Sequence, residues 1–314
     1  MAFSLGRVYL WLMHKYYQRK SQYTNTGKVA LCCIGKMEND YIREYVEYYE
    51  ELHFDKIYVY DNNDEDGERF EEVIDDFVEN GFVEIVDFRG RKMCQCDAYQ
   101  DCYDKHNKEY DWIAFYDCDE FLTFVDGTSD VHNFLCQKKF LPYQLIHVNW
   151  MVFGDNDMLD ADGRSVLERF TEPVSPIDFK TFHQYPENYH VKSFVRGGLA
   201  DIHWGVGTGA SHTPLASYYS CCDATATPCE CNSPFLKYDY SVAYIRHYST
   251  KTIGEWIKKK SLRGYPDQTE KRQKETLALD VFFMTNRKTS EKVEYADFCL
   301  QEFVKNDKCH CSRL

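Results

Sequence analysis

Apolar runs that suit buried strands alternate with amphipathic or polar stretches along the first part of the chain. Val29 to Ile34, Lys56 to Tyr60, Phe82 to Phe88 and Trp112 to Tyr116 read as strands; Asn39 to Leu52, Glu68 to Val78 and Cys94 to Tyr110 lie between them. In the first intervening stretch Ile42, Val46 and Tyr49 recur at helical spacing, with Asn39 placed to cap the helix. Such alternation predicts an α/β fold, a mainly parallel sheet with helices on its faces. Further on, Gln144 to Trp150, His190 to Val195 and Val242 to Arg246 read as strands among Pro-, Gly- and Asp-rich loops. From Tyr265 the pattern is charged and helical, with Leu277, Leu279, Val281 and Phe282 available for docking. No internal repeat is evident.

Upstream of the first strand the pattern changes. Leu5, Val8, Tyr9, Leu12, Met13 and Tyr16 fall on one face of a helix, with Arg7, His14 and Gln18 elsewhere. No acidic residue occurs before Glu38, whereas Arg7, Lys15, Arg19, Lys20, Lys28 and Lys36 are basic. That leader can lie on an anionic membrane surface or pack on its own domain. The apolar run Val8 to Met13 is too short to span a bilayer and no cleavage site follows it, so neither an anchor nor secretion is expected. The expected location is the cytoplasm, at the inner face of the membrane.

The whole chain carries a net charge of −14, which repels a phosphate backbone and argues against nucleic-acid partners while leaving room for one small anionic ligand. Without a secretory signal, the 14 Cys are expected to be reduced. Cys221, Cys222, Cys229 and Cys231 lie close together but lack a C-x-x-C pair, so buried thiols are preferred to a zinc site. Cys94, Cys96 and Cys102, and Cys309 and Cys311 around His310, form two further groups.

Candidate chemistry concentrates at the carboxyl ends of the expected strands, where ligands bind in open α/β sheets. Trp112 to Tyr116 delivers Asp117 and Asp119 at positions i and i+2, where a turn can aim both at one hard divalent cation, Mn²⁺ or Mg²⁺. Such a cation neutralises the charge that develops on a departing diphosphate. Lys36, Glu38 and Asn39 follow the first strand and Asp61 ends the second, where a base and ribose would meet amide and carboxylate groups.

Taken in order, these segments resemble the glycosyltransferase family 2 and family 92 group. The similarity covers Lys36 to Asn39, Glu51 to Asp61, Trp112 to Leu122, Asn149 to Gly154 and Val166 to Phe170, then Lys192 to Arg196 and His247 to Thr252. It implies a GT-A fold, a nucleotide-sugar donor linked to UDP or GDP, a divalent metal and inversion at the anomeric carbon. The expected activity is transfer of a sugar to a glycan or lipid-linked saccharide acceptor in surface polysaccharide or lipopolysaccharide synthesis. Four segments are then expected within one unit: a basic leader at 1–27, a nucleotide-sugar half at 28–125, an acceptor half at 126–264 and a helical extension at 265–314.

Within that framework Thr252 and Glu255 match a capping box, so a helix begins there whose free N–H groups could attract phosphate. Lys251, with Arg263, would add charge to the donor site and His247 is the third candidate metal ligand. The alternative is a capped surface helix with Trp256 and Ile257 buried and Lys258 to Lys260 solvated. Lys192 and Arg196 are placed opposite the acidic site to meet carboxylates or diphosphate. Trp150 and Phe153 offer an aromatic platform for the acceptor, and Asp155, with Asp157 and Glu120 behind it, is the candidate general base. Nucleotidyl transfer fits less well, because Gly35 to Glu38 is too short and acidic to cradle a triphosphate. A non-catalytic carbohydrate-binding relative is disfavoured by the presence of both Asp117 and Asp119.

Overall fold

The computed structural model describes residues 5–174, 187–205, 212–263 and 279–311. Ten strands form one sheet: β1 (Val29–Gly35), β2 (Lys56–Asp61), β3 (Val83–Asp87), β4 (Trp112–Phe115), β5 (Glu120–Phe124), β6 (Leu145–Val152), β7 (Val191–Arg196), β8 (Cys221–Asp223), β9 (Pro228–Cys229) and β10 (Ala243–His247). Their order is β3-β2-β1-β4-β7-β6-β10-β5, with β8 on the first half of β6 and β9 on β8. The helices are α1 (Leu5–Lys20), α2 (Ile42–Glu51), α3 (Glu71–Glu79), α4 (Gln95–His106), α5 (Val131–Leu135), α6 (Val166–Arg169), α7 (Ile253–Arg263), α8 (Leu279–Thr285) and α9 (Ser290–Cys311).

The expected α/β, GT-A-type architecture is present, with its parallel character concentrated where the sequence alternates most regularly. Ladders among β1, β2, β3 and β4 are parallel, and β7 then enters antiparallel between β4 and β6. β1 is apolar along its whole length because both of its faces are covered. On one face α2 contributes Ile42, Tyr45, Val46 and Tyr49, each fully buried. On the other, α4 contributes Ala98, Tyr99, Cys102 and Tyr103. A third cluster joins Trp256 and Ile257 of α7 to Phe282 and Ala296.

Two local differences from the sequence reading shape the site. α2 begins at Ile42 with Tyr41 as its cap residue, so Asn39 is not the N-cap; its side chain donates instead to the Arg69 carbonyl at 3.1 Å. β5, which the alternation pattern misses, turns back straight after Asp119 and lies at the sheet's end against β10. An edge strand leaves backbone groups to satisfy. The buried tyrosines of α2 do so: Tyr49 donates to the Glu120 carbonyl at 2.8 Å and accepts from Leu122 N–H at 3.1 Å, while Tyr48 donates to the Leu122 carbonyl at 2.6 Å.

The leader is helical as expected but packs through its polar side. His14 bonds the Tyr218 carbonyl at 2.6 Å and Tyr17 stacks on Tyr218 at 4.8 Å, whereas Val8, Tyr9, Trp11, Leu12 and Tyr16 are exposed. No described helix is long and apolar enough to cross a membrane. Of the expected docking residues at the C-terminal end, Phe282 is buried and Leu279 packs on the same cluster. Leu277 and the side chains of Val281, Arg263, Lys260, Cys309, His310 and Cys311 lie outside the described residues.

Candidate functional site

The carboxyl ends of β1, β4 and β10 meet the start of β7, and the loops leaving them carry most of the predicted chemistry. Gly35 ends β1 where a Cβ would stand 2.8 Å from the Phe70 ring, so only glycine lets the chain turn there into Glu38. The register that places His247 opposite Glu120 brings the Asp117–Asp119 turn beside the end of β10, and Tyr248 N–H donates to the Asp119 carbonyl at 2.9 Å.

The two aspartates of the D-x-D do different things. Asp117 Oδ1 accepts from Gln95 Nε2 and Tyr99 Oη, both at 2.7 Å, and Oδ2 from Lys192 Nζ at 2.8 Å. Lys192 is wholly buried and also faces Glu120 at 3.6 Å; the other oxygen of Glu120 accepts Asp117 N–H at 3.0 Å. Burial disfavours the charge on Lys192, but Asp117 and Glu120 outweigh it and raise its pKa. Burial pushes Glu120 well above the usual carboxylate range, since one lysine serves two carboxylates. Asp119 instead faces His247 Nε2 and Lys259 Nζ, each at 3.8 Å.

His247 is buried against the Trp150 ring, with centroids 3.9 Å apart. Burial first, only partly offset by Asp119 and Asp117, lowers its pKa to about 4, so at neutral pH the imidazole can act as a ligand. A cation about 2.1 Å from each partner fits within the 3.8 Å gap between Asp119 and His247. Asp117 already accepts from three donors, which leaves about one lone-pair site for the cation it is expected to share with Asp119 and His247. Among the described residues the only three metal-ligating groups that converge lie elsewhere, at His147, Cys221 and Cys229.

Above this pair stand two cations that carry the electrostatics. Lys259, which a capped surface helix would leave solvated, is buried and pairs with Glu38 at 2.7 Å. Its neighbour Lys258 keeps an exposed pair, with Asp40 at 3.0 Å. Lys251 is 3% exposed, has φ of 51°, and its Nζ lies 4.3 Å from the Tyr41 ring centroid with no hydrogen-bond partner among the described residues. Burial, then repulsion from Lys259, lowers its pKa to about 8. A buried, unpaired cation in the left-handed region is costly on both counts and marks a place for an anion.

The capping box is present, with Glu255 N–H donating to Thr252 Oγ1 at 3.2 Å and Thr252 N–H to Glu255 at 3.1 Å. It closes the helix end instead of opening it: Gly254 N–H goes to the Leu159 carbonyl at 2.9 Å, and Glu255 puts a carboxylate there. The expected phosphate seat on free α7 amides is therefore replaced by side-chain cations. Glu255 is itself held by Arg169 through two bonds of 2.8 and 2.9 Å and by Tyr41 Oη at 2.8 Å. Arg169, Tyr41 and Lys259 were not singled out as site residues. Lys259 was legible as the i+4 partner of Glu255 on one helix face.

Several candidates lie apart from this cluster. Lys36 pairs with Asp64 at 2.6 Å on the rim, and Asp61 is locked by Arg89 at 2.6 Å and by Asn63. Arg196 pairs in register with Trp112, at the opposite end of β4 from Asp117, and stacks on that ring at 4.3 Å. Asp155 is no free base: it is buried and paired with Lys292 of α9 at 2.6 Å, and Asp157 shares that lysine at 2.8 Å. Phe153 is core, packed on Tyr248 at 5.1 Å, and Trp150 is enclosed by His190, His212 and His247, so neither ring presents an open face.

Comparison with known proteins identifies one family and several distant folds. The sequence model of Glycosyltransferase family 92 matches residues 28–280. No curated protein matches. Among solved structures, Staphylococcus aureus TarS 1-349 in complex with UDP-GlcNAc is 11% identical with a TM-score of 0.41, covering 88% of this chain and 81% of that one. The mannosyltransferase PcManGT from Pyrobaculum calidifontis, in complex with GDP-Man and Mn²⁺, is 10% identical with a TM-score of 0.28, covering 45% of this chain and 42% of that one.

Proposed function

The chain belongs to glycosyltransferase family 92, and from that membership we propose that it transfers a sugar from a UDP- or GDP-linked donor to a hydroxyl of a glycan or lipid-linked saccharide, with Mn²⁺ or Mg²⁺ held by Asp119 and His247. The observation that carries this reading is Lys251, a buried ammonium with no hydrogen-bond partner among the described residues, set in one cluster with Lys259, Glu38 and Asp119. A diphosphate supplies the missing anion. When bound, the cation neutralises charge on that diphosphate as the sugar leaves.

The protein's own residues divide the remaining work. Lys251 and Lys259 receive the phosphate oxygens, and Lys192 fixes Asp117 and Glu120 so that the turn carrying Asp119 keeps its place. Arg169 and Glu255 hold the start of α7, and with it Lys251, in position. Transfer is read as inverting, by in-line attack of the acceptor hydroxyl on the anomeric carbon. The exposed apolar face of α1, flanked by Lys15, Arg19 and Lys20, is the membrane-facing surface in a reading that places the acceptor in surface-glycan synthesis.

A panel of UDP- and GDP-sugars, assayed for nucleoside-diphosphate release with Mn²⁺, Mg²⁺ or excess chelator, tests the proposal. Release that requires metal and is lost in Lys251→Ala is expected. Undiminished release in chelator would remove the cation, and no binding of any nucleotide-sugar by calorimetry would remove the donor site.

A further inference from the structure

On the face of the sheet away from α2, the β8–β9 hairpin brings together soft ligands that are remote in sequence. Cys221 of β8 lies directly opposite Cys229 of β9, and β8 runs parallel to β6, which carries His147. One ligand atom from each of His147, Cys221 and Cys229 lies within 4.8 Å of the others. Cys231 follows two residues after Cys229 and lies outside that group of three; its thiol donates to the Tyr219 carbonyl at 3.0 Å and would turn from it to complete a tetrahedral set. Cys222 is not part of the group, because strand alternation turns it to the opposite face.

We propose that His147, Cys221, Cys229 and Cys231 bind one structural Zn²⁺ that fastens the β8–β9 hairpin to β6. The sulfurs of Cys221 and Cys229 are 3.6 Å apart. Thiolates about 2.3 Å from a tetrahedral zinc stand about 3.8 Å from each other, whereas a disulfide would need about 2.05 Å. The thiols of Cys221 and Cys231 are buried and Cys229 is partly accessible, which gives the ion a route in. On binding, the three thiols release three protons and the imidazole ligates as the neutral base.

The outer partners suit a histidine ligand. His147 Nδ1 is 2.9 Å from Ser193 Oγ, and Ser193 can donate onward to the His212 carbonyl at 3.2 Å. His147 Nε2 meets the Cys231 carbonyl at 3.2 Å; a bound metal would take that place while Nδ1–H donates to Ser193, the usual arrangement for a ligating histidine. Ser193 follows Lys192, so the ion would brace the strand that holds Asp117 without touching substrate. This site is independent of the transferase reading.

The full-length protein, purified without added metal and passed over chelating resin, is analysed for zinc by mass spectrometry. One zinc per chain is expected, released when p-hydroxymercuribenzoate blocks the thiols and retained in Asp119→Ala. Cys221→Ser/Cys229→Ser should hold no zinc and melt at lower temperature, while Cys136→Ser, at an exposed thiol elsewhere, should keep it. Should the double variant not fold, Co²⁺ exchanged into the wild type decides: thiolate-to-cobalt charge transfer is expected. Wild type without zinc, with these thiols free or bridged, overturns the proposal, as does zinc that survives Cys221→Ser/Cys229→Ser or cobalt without thiolate absorption.

Discussion

Replacing Glu255 by Gln removes one charge from a buried pair while keeping the side chain's shape. Glu255 is 6% exposed and Arg169 4%, and the carboxylate accepts from Arg169, Tyr41 and Thr252. Burial pushes its pKa up, but the Arg169 bonds outweigh that and bring it from 4.5 to about 2. A carboxylate depressed that far contributes about 3 kcal/mol at neutral pH, and losing one partner of a buried pair costs about 3–5 kcal/mol. Gln keeps one acceptor oxygen, so a loss of about 2–3 kcal/mol is expected in urea unfolding at pH 7. The contribution is complete above about pH 4.5 and fades as pH falls through about 2, so the gap between wild type and Glu255→Gln must narrow in acid. A loss under about 0.5 kcal/mol, or a gap that widens as pH falls, would refute the role given to this pair.

Lys251→Met should leave stability unchanged or higher, because it removes an unpaired buried charge, yet weaken nucleotide-sugar affinity by about one to two decades; calorimetry and thermal melts read the two separately. The D-x-D aspartates should part in the same way. Asp119→Ala should abolish metal-dependent turnover with a near-normal melting temperature, whereas Asp117→Ala should lose about 2–3 kcal/mol by leaving Lys192 only the more distant Glu120 and taking the acceptor from Gln95 and Tyr99; equal melting of the two would contradict the geometry. Trp11→Glu, at a site 58% exposed, should keep wild-type stability and lower binding to anionic liposomes, a flotation assay showing equal binding being the contrary result.

Periodicity exposed the parallel half of the fold because β1, β2 and β4 are buried on both faces and the helices between them bury one stripe. β5 escaped for a physical reason: Glu120 to Phe124 continues from the D-x-D turn without a break, and its edge is satisfied by tyrosines some seventy residues earlier. The β8–β9 hairpin escaped because its strands span only three and two residues. The leader's apolar stripe was legible, but which side would pack was not: His14 and Tyr17 found partners near residue 218. The pairing of Asp155 with Lys292 was not legible, because that partner is reached only through tertiary structure.

The D-x-D motif itself shows why a site cannot be read from spacing alone. How many lone pairs a carboxylate has left for a metal depends on how many donors the fold directs at it. Gln95 and Tyr99 sit one turn apart on α4, and with Lys192 of β7 they converge on Asp117. Two residues later the chain has left that environment, and Asp119 meets the edge where His247 and Lys259 arrive from β10 and α7. Burial separates the cations likewise. Lys192 has two carboxylates and keeps its proton more firmly; Lys251, near Lys259, holds its proton less firmly, at about 8. A diphosphate entering beside Lys251 would reverse that imbalance. Binding should therefore take up protons on the alkaline side, where Lys251 is partly neutral, and calorimetry in buffers of different ionisation enthalpy near pH 8 measures that uptake directly. No uptake in wild type, or the same uptake in Lys251→Met, would place the anion elsewhere.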